Sequence, residues 1–195
     1  MVVIGVVFVV AVALKVTSKD ETKSDGGVTT ADQRVANSET AEYVSDFSVV
    51  CEKGSVSNAA DYGKPYRIAA FHTGNQDDDW DEITLDHRAS YWADRHALSS
   101  INVVACLTRK TGSEVKSGTC VYQSAGKDVS VDHYAVEYEI ELHQAKTGDA
   151  IESLGTVRGP ANFCPFIASF DRGSPKIYAA PDDAALEAKL EKFVG

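Results

Sequence analysis

The sequence predicts an α+β domain, built mainly of antiparallel β-sheet and closed by a C-terminal helix, preceded by an N-terminal apolar anchor helix and a flexible stalk. Three observations carry that expectation. Val136, Tyr138, Ile140 and Leu142 alternate with Glu137, Glu139, Glu141 and His143, and a period of two with one charged face marks a strand in a sheet that is wet on one side. Pro181, Asp182 and Asp183 open a segment that closes with Lys189 and Lys192, with Leu186, Leu190 and Val194 on one face. Proline in the first turn, acids at the positive end of the dipole and bases at the negative end are helix signals. The third observation is a break in composition: residues 1–14 carry no polar side chain, whereas residues 15–46 are dominated by Ser, Thr, Asp, Glu, Lys, Gly and Ala.

The apolar segment is the first element. As a helix, its residues 1–14 reach about 21 Å at 1.5 Å per residue, short of the roughly 30 Å hydrocarbon core of a bilayer. Ala11-Val12-Ala13 fits a signal-peptidase site, but no basic residue precedes the apolar run, as a signal peptide requires. A transmembrane helix that begins upstream is therefore preferred to a cleaved signal. Both place the main domain outside the cytoplasm, either on a single-pass cell-membrane anchor or secreted after cleavage. Residues 15–46 then form a linker that cannot bury enough surface to offset its ordering entropy, with a weak helix in residues 31–44.

The domain proper is expected over residues 47–195. Residues 66–71 and 101–107 are short apolar runs of strand length. Residues 115–122 follow a Thr111-Gly112 turn signal, which suggests a hairpin with 101–107. Lys146-Thr147-Gly148-Asp149 turns the alternating strand into residues 151–157 and completes a second hairpin. The four cysteines, Cys51, Cys106, Cys120 and Cys164, form no C-x-x-C pair, so close-paired zinc ligation is not indicated. In an oxidising compartment they read as two disulfides. Three pairings are open; the hairpin favours Cys106–Cys120 and leaves Cys51–Cys164 to join the domain start to its late segment.

A net charge of −10 argues against nucleic-acid binding, which needs clustered Lys and Arg, and against a basic patch on an anionic membrane. Candidate chemistry centres on the acidic run Asp77-Asp78-Asp79-Trp80-Asp81-Glu82. Carboxylates suit calcium, but the EF-hand spacing is absent, and a solvated loop is the simpler expectation. His72, His87 and His96 could join Asp77, Asp79 and Asp81 in a metal site only through folding, because no H-E-x-x-H spacing fixes them. His133 and His143 complete the histidines. The row of Glu137, Glu139 and Glu141 reads as a solubilising strand face. Neither a G-x-S-x-G elbow nor a glycine-rich phosphate loop is present, so no catalytic residue and no cofactor is indicated.

Trp92 followed by Ile101-Asn102-Val103-Val104-Ala105-Cys106-Leu107, then Cys120-Val121-Tyr122, Glu141-Leu142-His143-Gln144-Ala145-Lys146-Thr147-Gly148, Gly159-Pro160, Cys164-Pro165, Tyr178 and Pro181 resemble, in that order, a recurring extracytoplasmic disulfide domain. It occurs in bacterial, notably actinobacterial, membrane-anchored proteins of unknown function. The similarity runs from Val49 to the end. It implies a disulfide framework and carries no catalytic residue. With the anchor and stalk, it leads to the expectation of an accessory or binding domain that contacts another extracytoplasmic protein or envelope component. The alternative is a metal-binding protein or hydrolase that uses the Asp77–Asp81 loop and nearby histidines.

Overall fold

The computed structural model describes residues 37–76 and 79–195. The apolar segment 1–14, linker residues 15–36, and Asp77 and Asp78 lie outside the described residues. Among the described residues the elements are β1 (Ser38–Glu39), a 3₁₀ helix (Val44–Glu52), β2 (Ser55–Val56), β3 (Ile68–Thr73), β4 (Trp80–Ile83), a short 3₁₀ turn (Leu98–Ser100), β5 (Val103–Arg109), β6 (Val115–Ser124), β7 (Lys127–Gln144), β8 (Ala150–Gly159), β9 (Lys176–Tyr178) and α1 (Asp183–Val194). Folded structure therefore begins before residue 47: β1 pairs with β2, and Ala41 is buried. Of the weak helix expected in residues 31–44, the described residues 37–43 form none, and residues 85–97 are turns and irregular chain with one isolated bridge from Trp92 to Ile68.

One long strand organises the sheet. β7 runs for 18 residues. Its C-terminal half lies between β5 and β8, and its N-terminal half between β6 and β9. β3 and β4 extend the sheet beyond β5 in the order β4-β3-β5-β7-β6. The sheet is mixed and not antiparallel throughout: β3 pairs with β5 in parallel, and so does β9 with β7, while its other pairings are antiparallel. The reason is burial on both faces. Ile68, Ala69, Ala70 and Phe71, like Val103–Leu107, are buried without alternation, the signature of a strand covered above and below.

Two layers supply that cover. On one face α1 packs Leu186 and Leu190 against Val103, Ala105, Val136, Tyr138, Ile140 and Leu142. The alternation at residues 136–142 is realised, with Glu139 and Glu141 exposed on the other side. Asp182 caps α1 by accepting from the Ala185 amide, so Pro181 stands one residue before the cap and not in the first turn. On the opposite face the 3₁₀ helix presses Phe47 and Val50 onto Ala69, Phe71, Val104 and Cys106. A smaller cluster of Cys120, Val131 and Ile177, with Tyr122, Val129, Ala168 and Phe170 against it, closes the far end.

The expected β5–β6 hairpin is not formed. Both strands lie against β7, with Cys106 opposite Glu141 and Cys120 opposite Val131. Ten positions along a strand are about 33 Å, far beyond the reach of a disulfide. The bonds are instead Cys51–Cys106 and Cys120–Cys164, which replaces the expected Cys106–Cys120 and Cys51–Cys164. Among the described residues the tight-turn hairpins are β6–β7, turning at Ala125-Gly126 with positive φ at both, and β7–β8 at the expected Thr147-Gly148 turn. The first matches the two-residue type that suits strand twist.

Candidate functional site

The far end of β7 gathers the features that the core does not account for. After Gly159 the chain leaves β8 and runs without regular structure until β9. Cys164 bonds this segment to Cys120 on β6. Tyr122 Oη donates to the Pro165 carbonyl at 2.9 Å, and the Tyr122 and Phe170 rings lie 5.8 Å apart. Arg172 Nη2 donates to Ser124 Oγ at 3.0 Å. The segment is thus pinned along β6 at both ends. It projects Phe163, just before the first pin, and Phe166 and Ile167, between the pins; these are 87%, 98% and 80% exposed. Large apolar side chains exposed together on one short segment are a feature of interaction surfaces. An open groove of about 860 Å³ runs beside it, lined in part by Val121, Tyr122, Phe166 and Phe170.

Beneath the same segment lies His133. Its position on β7 faces Gly118 of β6 and Ile177 of β9. It is buried, and its Nε2 has no hydrogen-bond partner. A ring nitrogen of His133 and the sulfurs of Cys120 and Cys164 all lie within 4.8 Å of one another. Burial pushes the imidazole below its ordinary pKa, because the charged form loses solvation. Among the described residues this is the one group of three or more His, Cys, Asp or Glu side chains spaced closely enough to hold a metal. Its two sulfurs are bonded to each other, so neither is a thiolate ligand in the oxidised protein. His133 shares parity with Val131 and Ala135, both buried; a histidine on the apolar face of an alternating strand was the signal that could have singled it out.

The residues proposed from the acidic run are distributed differently. His72 on β3 stands opposite Asp81 on β4. Its Nδ1 donates to the Thr73 carbonyl at 3.0 Å, and its ring meets Tyr138 edge-on at 5.6 Å. Burial lowers its pKa, against the opposing pull of Asp81 and Asp183. Asp79 forms the turn into β4, where its carbonyl accepts from the Gly74 amide. His87 lies on the surface 3.7 Å from Asp86, and His96 is exposed. Folding therefore brings His72 to Asp81 but does not gather His87 or His96 to them. Of the glutamate row, Glu137 meets Lys110 at 3.6 Å and Glu141 meets His143 at 3.6 Å.

Among the described residues no helix is long and apolar enough to cross a membrane. Compared with known proteins, the chain matches no family model, no curated protein and no solved structure.

Proposed function

We propose that this chain is the extracytoplasmic part of a membrane-anchored binding protein that holds a protein partner on the loop carrying Phe163, Phe166 and Ile167. The observation that supports it is the exposure of these three side chains on a segment held rigid by the Cys120–Cys164 bond and the Tyr122–Pro165 hydrogen bond. Leaving three large apolar groups in water forgoes about 1.5–3 kcal/mol for each, which a covering partner would recover. Pinning the loop lowers the ordering entropy that binding must offset. The two disulfides fit an oxidising compartment, in keeping with the apolar N-terminal segment, and the proposed kinship with the extracytoplasmic disulfide domain gives the same location.

A photo-reactive phenylalanine at position 166, compared with one at Glu139 on the open sheet face, tests the binding role in producing cells. The expected result is a discrete cross-linked species from position 166, absent from position 139 and lost when Phe163 and Ile167 are changed to serine. Equal or absent adducts at the two positions would dispose of it. A metal-binding or hydrolytic role is less well supported, because among the described residues only His72 and Asp81 of its set meet across strands and the His72 Nδ1 is already committed to Thr73.

A further inference from the structure

We infer that Cys120, Cys164 and His133 form a thiol–disulfide exchange site, in which the disulfide accepts electrons from an external thiol and His133 carries the proton. Three independent features lead there. The two cysteines differ in exposure: Cys164 is exposed on its loop, whereas Cys120 is buried in the small cluster with Val131 and Ile177. A nucleophile from solvent therefore reaches the Cys164 sulfur, and Cys120 becomes the leaving group. A histidine that is 3% exposed, with an Nε2 that has no hydrogen-bond partner, brings a ring nitrogen within 4.8 Å of both sulfurs. The protein's other disulfide, Cys51–Cys106, has no such companion: among the described residues no His, Asp or Glu ligand atom lies that close to both of its sulfurs.

The chemistry balances with a thiol, RSH, as the only co-reactant. The neutral imidazole takes the proton of RSH, and the resulting thiolate attacks the Cys164 sulfur. The Cys120–Cys164 bond breaks, and its electron pair passes to the Cys120 sulfur. Left as a thiolate in an apolar cluster, that sulfur would be poorly solvated; the imidazolium returns the proton and leaves it as a neutral thiol. A second thiol then attacks the mixed disulfide on the R-group sulfur, releasing Cys164 as a thiol and RSSR. Two thiols are oxidised and one disulfide is reduced. Burial favours a neutral imidazole at neutral pH, the form that can accept the first proton. Among the groups lining its cavity, the ionisable one besides His133 is Asp182, which is engaged in capping α1. Protein thiols are the natural substrate class, since a partner docked on Phe163 or Phe166 would lie beside Cys164.

The test uses the full chain and reduced glutathione as probe, with acid quenching, alkylation and peptide mapping at successive times. The expected result is glutathione bound at Cys164, with Cys120 freed, at least ten times faster than either Cys51 or Cys106 is modified. H133Q, which keeps a polar group but cannot relay a proton, is expected to slow opening of Cys120–Cys164 at least five-fold while leaving Cys51–Cys106 unchanged. Equal rates at the two disulfides, earlier opening of Cys51–Cys106, or an H133Q rate equal to that of the natural protein would each overturn it. The comparison between disulfides needs no variant, so a poorly folded H133Q still leaves a decision. Glutathione needs no docking surface, so failure of the cross-linking test and failure of this one are separate results.

Discussion

At the scale of the residue, His133 sits where Val131 and Ala135 place hydrocarbon, and a buried donor or acceptor without a partner costs about 1–3 kcal/mol. Replacing it with leucine removes that cost and keeps an apolar side chain of similar reach. His133→Leu is expected to raise stability by about 1 kcal/mol at pH 7.5, read from urea unfolding; an equal loss would show that the imidazole is satisfied in solution. The same residue sets a pH dependence. Burial depresses the folded-state pKa of His133 and of His72, while the unfolded chain titrates near the ordinary histidine value of about 6.5. The unfolded state therefore binds more protons as pH falls through that value, and the folded state loses ground. Thermal midpoints are expected to be level above pH 7.5 and to decline from there towards pH 5. The decline should be shallower in His133→Leu, and a wild-type profile that rises on acidification would contradict the burial of both rings.

At the scale of the element, β7 and the glycine that ends β8 hold the architecture together. A Cβ on Gly159 would collide with the Ala179 carbonyl, approach the Ala180 carbonyl to 2.9 Å and meet the Tyr138 ring at 3.1 Å. Those neighbours are backbone and a buried tyrosine whose hydroxyl donates to Ala179 at 3.0 Å, so little can yield. Gly159→Ala is expected to destabilise by about 1–3 kcal/mol, the usual cost of overpacking, as a lower urea midpoint with unchanged slope. The alternation at residues 136–143, the Thr147-Gly148 turn and the face of α1 were legible because each is written in local periodicity. The pairing of β5 was not. An apolar run such as residues 103–107 says that both faces are buried but not which strands flank it, and Thr111-Gly112 looks like a hairpin turn although the chain goes on along the same neighbour strand. The disulfide expectation inherited that error, since cysteine pairing follows strand order. His133 was visible as a histidine, but its isolation becomes apparent only when β6, β9 and the Cys164 loop close around it.

At the scale of the molecule, the two disulfides staple different parts. Cys51–Cys106 joins the 3₁₀ helix to the sheet within the larger cluster on that face, whereas Cys120–Cys164 fastens the irregular segment to β6 at the far end. The sequence separations are 55 and 44 residues, so loop entropy assigns each about 4 kcal/mol and separates them by only a few tenths. Any larger difference must come from the folded state. Without Cys51–Cys106, Phe47 and Val50 still anchor the 3₁₀ helix in a dry interface. Without Cys120–Cys164, the segment keeps the Tyr122–Pro165 and Arg172–Ser124 hydrogen bonds, while Phe163, Phe166 and Ile167 contribute almost no burial. Local opening of that segment should then be cheap. The paired alanine variants at the two bridges are expected to lose similar global stability in denaturant, yet to differ under brief proteolysis of the native protein. Removal of Cys120–Cys164 should admit cleavage within residues 161–172 and leave the sheet intact, whereas removal of Cys51–Cys106 should give no early cut there. If the two variants were cut at the same sites and rates, the far-end bridge would not be what holds the apolar loop in place.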